Sequence, residues 1–107
     1  MTTTQDKKKI YQARTIAALQ MDRHVGDEFT VEDIIQFETT RADSGESATS
    51  TVIFTTDGNV YSTLSPTVDK SVKNLEEIFG ADVVGLKLKI TNGVSNAGNK
   101  FLQLDIA

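Results

Sequence analysis

Two strand pairs, Thr51–Ser65 and Leu86–Ile106, flank one capped amphipathic helix, and a further long strand precedes them. The resulting order, strand–strand–strand–helix–strand–strand, predicts a mainly β fold. It is the order of a five-stranded OB-like barrel, with the helix between strands three and four and a short helix at the N-terminus. At 107 residues the chain suits a single domain with one core. The expected organisation is a flexible basic arm over residues 1–9 and one OB-like domain over residues 10–107.

The elements follow in order. From Lys8 to Met21, Ile10, Ala13, Ala17 and Met21 recur at helix-like spacing. Gly26 then breaks the chain, and Phe29–Arg41 forms the first strand. Phe29, Val31, Ile35 and Phe37 share a parity that Ile34 violates, so a bulge is expected near Asp33. Ala42–Ser50 is small and polar, a loop. Thr51–Thr56 and Asn59–Leu64 flank Asp57-Gly58, the dipeptide of a two-residue type I′ turn. That turn pairs Phe54 with Tyr61 and Val52 with Thr63, leaving Ile53, Val60 and Leu64 for the inner face.

Ser65 and Pro66 open the main helix as N-cap and first-turn residue. Val68, Val72, Leu75, Ile78 and Phe79 form its apolar stripe, and Gly80 ends it. In the last pair, Leu86, Leu88 and Ile90 alternate with Lys87, Lys89 and Thr91. On the return strand Leu102, Leu104 and Ile106 point inward, and Phe101, Gln103 and Asp105 point outward. The connection Asn92–Asn99 is polar and contains two glycines, so it reads as a long loop of functional character.

Composition narrows the function. There is no cysteine, which removes disulfides, thiolate metal sites and cysteine nucleophiles. No apolar run approaches membrane-spanning length and the N-terminus has no signal-like segment, so a soluble intracellular protein is expected. The lone histidine, His24, belongs to no recognisable triad or metal spacing. No enzyme activity and no cofactor or metal are expected. The net charge of −4 is unevenly spread. Residues 1–26 hold five cations against two acids, whereas residues 27–50 hold seven acids against Arg41 alone. A binding groove needs only local positive potential, but stacking has to supply much of any affinity for nucleic acid.

The outward positions set the candidates for that role. Lys87, Lys89 and Phe101 combine charge with an aromatic ring, as single-strand binders do. Phe54 and Tyr61 form an aromatic pair, and Phe37 lies near Arg41. Asn92, Ser95, Asn99 and Lys100 offer polar donors to phosphate. Stacking is thus assigned to Phe37, Phe54, Tyr61 and Phe101, and phosphate or polar contact to Arg41, Lys87, Lys89, Asn92, Ser95, Asn99 and Lys100. Each has a structural alternative. The lysines also suit a soluble edge strand, the facing rings also stabilise a hairpin by about 0.2–1 kcal/mol, and Phe37 also suits the core beside Ile35.

The segment Thr51–Ser65 (TVIFTTDGNVYSTLS), followed by Thr67-Val68, resembles the single-stranded DNA-binding proteins of tailed phages that replicate linear DNA by protein priming. So does the ending, from the lysine-alternating strand through Gly93, Ser95, Gly98-Asn99 and Phe101. Residues 51–107 carry the resemblance most closely. It implies coating and protection of displaced single strands during replication, without sequence preference or catalysis, in the cytoplasm of the infected bacterium. Phe37 and Tyr61 would occupy tyrosine positions of the family. Single-stranded DNA is the implied partner, with phage replication proteins beside it; the protein would be a monomer or weakly self-associating. Two other functions fit the residues. One is a small acidic phage protein that inhibits a host enzyme, suggested by residues 27–50. The other is an RNA-binding OB module, since stacking platforms accept both sugars.

Overall fold

The computed structural model describes residues 7–107. It is mainly β, a curled six-stranded sheet with two helices. Helix α1 (Lys7–Thr15) is followed by β1 (Leu19–Gln20), β2 (Glu28–Thr40), β3 (Ser47–Thr55) and β4 (Val60–Thr63). Helix α2 (Pro66–Phe79), β5 (Lys87–Val94) and β6 (Lys100–Ile106) complete the chain. The strands lie in the order β1-β4-β3-β2-β5-β6. All neighbours are antiparallel except β1 and β4.

Strand β2 is the spine. Its first residues, Glu28–Thr30, pair with β5, and Val31–Thr40 pair with β3. A bulge between Val31 and Asp33 separates the two halves and bends the strand. The extra residue resets the parity, so Phe29 and Val31 before it and Ile34 after it all enter the main core. Asp33 Oδ1 accepts from the Ile34 N–H at 3.0 Å, satisfying backbone at the bend.

Helix α2 closes one side. Ser65 Oγ accepts from the Val68 N–H, Pro66 occupies the first turn, and Gly80 ends the helix at φ 56°. Val68 and Val72 are fully buried, with Leu75 and Phe79 packed beside them. Ile78 stands out in solvent, off the expected stripe. The Thr67 hydroxyl donates to the Leu102 carbonyl and ties the helix to β6.

Several expectations are corrected. The strands number six, because Leu19–Gln20 adds a short parallel strand against Tyr61 and Ser62. The main helix therefore follows the fourth strand instead of the third. No ladder joins β4 to β6 among the described residues, so the sheet is curled but open there. Residues 1–6 of the expected arm lie outside the described residues, and Lys7–Lys9 form the first turn of α1. That helix stops at Thr15, and Met21 enters the core from a separate 3-10 turn.

The central hairpin departs most. Ile53, not Phe54, lies opposite Tyr61, and Phe54 lies opposite Val60. The turn holds three residues, Thr56-Asp57-Gly58, with Thr55 N–H donating to the Asn59 carbonyl at 2.9 Å. A type I′ turn needs positive φ at both central residues; here Gly58 has φ 90° and Asp57 does not. The one-residue difference sends Tyr61 to the opposite face from the expected one.

Candidate nucleic-acid interface

Tyr61 is inside. It is 3 % exposed, stacked on Phe29 with ring centroids 5.0 Å apart, and meets the His24 ring edge-on. Its hydroxyl donates to Asp27 Oδ2 at 3.0 Å. Burial, then the hydrogen bond and negative charge of Asp27, push the phenol up to about 12. A ring enclosed this way cannot stack on a base without leaving the core.

Phe54 and Phe37 share the other face of β2 and β3, outside the main core, with Ile35, Val52 and Val60. Helix α1 lies across that face through buried Ala13 and half-buried Ile10. Lys9 Nζ sits 5.4 Å from the Phe54 ring centroid, and Arg14 Cζ sits 5.2 Å from that of Phe37. Phe54 is buried beneath the helix, while Phe37 stays half-exposed at its edge. The spacing of Ile10 and Ala13 signalled a helix but not where it docks, because its only apolar contacts are those two residues, with Lys9 and Arg14 over the rings.

On the far half of the sheet, Lys87, Lys89 and Phe101 project from the outer face of β5 and β6, as alternation predicts. Phe101 lies directly over Gly93, its cross-strand partner; a Cβ there would overlap the ring and approach Gln103 Oε1 to 2.8 Å. The glycine is therefore the floor on which the ring rests. Carboxylates flank both lysines. Glu28 reaches Lys87 at 3.6 Å, and Lys89 stands opposite both Glu28 and Asp105.

The expected long loop is a tight hairpin. Strand β5 runs to Val94, with Asn92 opposite Leu102, and only Asn96-Ala97-Gly98 turns the chain. Ser95 N–H donates to the Asn99 carbonyl at 2.8 Å, Gly98 N–H to the Ser95 carbonyl at 2.9 Å, and Asn99 N–H to Ser95 Oγ at 3.2 Å. The same three bonds recur in the first hairpin: Thr55 to Asn59, Gly58 to Thr55, and Asn59 N–H to Thr55 Oγ1 at 3.0 Å. Ser/Thr-x-x-Gly-Asn, present twice in the sequence, is the signal that identifies both turns. Ser95 is thus engaged with backbone, while Asn99 and Lys100 are exposed at the hairpin tip. In the first turn the Thr55 hydroxyl, then the Asn59 N–H, hold the Asp57 carboxyl below its usual range.

Arg41 directly follows β2 and donates through Nη2 to the Leu64 carbonyl at 3.4 Å. It lines a groove of about 440 Å³ where the sheet stays open, together with Gln20, Ser50, Ser62, Thr63 and Leu102. Several acids of residues 27–50 have partners. Asp27 meets His24 and Tyr61, Glu28 meets Lys87, and Glu32 meets Lys9 at 2.7 Å.

All of residues 1–107 match the family described as Phage Single-stranded DNA-binding protein. The chain belongs to that family. No curated protein and no solved structure matches it significantly. Membership makes this a phage protein that binds single-stranded DNA. Among the described residues no helix is long and apolar enough to cross a membrane, and no cluster of His, Cys, Asp or Glu could hold a metal ion.

Proposed function

We propose that this family member coats displaced single strands during phage replication, without sequence preference and without catalysis, using the outer face of an OB-like frame. The five strands β2 to β6 and the helix α2 between β4 and β5 correspond to that frame, with β1 an addition at its edge. Phe101 and Phe37 stack bases, Lys87 and Lys89 meet phosphates on that face, and Lys100, at the hairpin tip, and Arg41, beyond β2, meet them at its rim. Asn99 adds a polar contact at the exposed β5–β6 tip, Asn92 lies on the Ile90 and Leu102 side of the sheet and takes no part, and Ser95 chiefly shapes the turn. Phe54 supports the face from beneath α1. The protein acts in the cytoplasm of the infected host, beside the phage replication machinery.

The observation that supports this most is the outward register of Lys87, Lys89 and Phe101, with β2 linking them to Phe37. Thr30, opposite Lys87, and Phe37 are seven residues apart on one strand, roughly 20 Å at about 3.3 Å per residue. That span suits several nucleotides, within the range of roughly 4–16 per OB unit.

The ion pair of Lys87 with Glu28 is exposed and worth at most about 1 kcal/mol, so phosphate can replace it. Four phosphate contacts give a salt slope near −3, at about −0.7 each on single strands. Anisotropy titrations of labelled oligo(dT), oligo(rU) and duplex DNA at several salt concentrations test this. Duplex binding as tight as oligo(dT) would contradict stacking on unpaired bases. Equal affinity for oligo(rU) would extend the reading to RNA, and a slope twice as steep would shift the balance from rings to charge.

A further inference from the structure

Helix α1 carries Lys7, Lys8, Lys9 and Arg14 and no acid, in a chain whose net charge is −4. Its docking through Ala13, Ile10 and Lys9 fixes what the opposite side presents. Tyr11 is 70 % exposed, the most exposed aromatic side chain among the described residues. Lys7 lies four residues before it and Arg14 three residues after, spacings that place helical side chains side by side. Arg14 also lies against the Phe37 ring, so the guanidinium joins Tyr11 to the sheet platform. A large ring held in water on a cationic helix contributes nothing to the core.

We propose that α1 is part of the single-stranded DNA surface: Tyr11 stacks on a base, Lys7 and Arg14 meet the neighbouring phosphates, and the strand continues onto Phe37. This rests on the outer-face reading above. Charge selects the occupant. A second copy would oppose one cationic helix with another, whereas a polyanion with unpaired bases satisfies both the charge and the ring.

The test uses the full chain and fluorescein-labelled oligo(dT), read by anisotropy. Tyr11→Ala is expected to bind about tenfold or more weakly, the equivalent of one lost stacking contact, with an unchanged thermal melt. Tyr11→Phe keeps affinity within about twofold of the parent but loses the quenching of intrinsic tyrosine emission by unlabelled oligo(dT). The remaining Tyr61 is enclosed in the core, and the chain has no tryptophan. Full affinity in Tyr11→Ala overturns the proposal, as does unchanged quenching in Tyr11→Phe. A fall in sedimentation coefficient accompanying the loss would instead make the ring a contact between copies, which also overturns it. Phe37→Leu, measured in parallel, separates the two readings. Weaker binding there with full binding in Tyr11→Ala retires α1 alone; full binding in both variants retires the outer face as well.

Discussion

Removing the Tyr61 hydroxyl, and then the whole ring, separates a core residue from a stacking residue. Tyr61→Phe keeps the stack on Phe29 and deletes only the 3.0 Å hydrogen bond to Asp27. Asp27 is half-exposed and water can replace the lost donor, so the cost is about 1 kcal/mol. For a domain near 100 residues that lowers Tm by roughly 4–8 °C. Tyr61→Ala empties a fully packed site and costs about 3–5 kcal/mol. Set against a total stability of about 5–15 kcal/mol, this is roughly a fifth of the fold at the least. Thermal circular dichroism measures both variants, and oligo(dT) anisotropy at low temperature measures binding by whatever fraction stays folded. The expected pattern is graded destabilisation with parental affinity in Tyr61→Phe. A Tyr61→Ala variant that melts within ~2 °C of the parent yet binds tenfold more weakly would place the ring on the DNA and refute the register assigned to β3 and β4.

Three further outcomes follow from the same packing. With the Tyr61 phenol raised to about 12, the folded state favours the protonated form. Its stabilisation is full below the unfolded value near 10 and is lost between about pH 10 and 12, roughly 3 kcal/mol over that window. Urea titrations should show this slope in the parent and not in Tyr61→Phe. Gly93→Ala forces Phe101 off its floor and should cost about 1 kcal/mol; combined with Phe101→Leu the two effects should be non-additive, because they act on one contact. Among the described residues one carboxyl oxygen of Glu76 is buried without a hydrogen-bond partner, and burial raises its pKa. The protonated form is favoured in the fold, so stability falls as pH rises through the raised pKa. Glu76→Gln should match the parent in acid and exceed it at neutral pH in chemical denaturation.

Local chemistry was legible wherever one short segment contains all that decides it. Ser65, Pro66 and Gly80 bound α2 without help from elsewhere, and the parity break at Ile34 foretold the bulge between Val31 and Asp33. The alternation of Leu88 and Ile90 with Lys87 and Lys89 placed the outer face of β5 correctly. The β3–β4 turn was harder, because Asp57-Gly58 serves equally in two-residue and three-residue loops. The two choices differ by a single position, and that position reverses every side chain beyond it.

The mainly β class and the outward lysines of β5 follow from the residues alone, since hydrophobic period and capping chemistry act over a few neighbours. Pairing distant in sequence decided the rest: Leu19 beside Tyr61, α1 across Phe54 and Phe37, and Tyr61 stacked on Phe29. Which rings meet water depends on free energies of burial summed over the assembled sheet, and no single segment contains that sum.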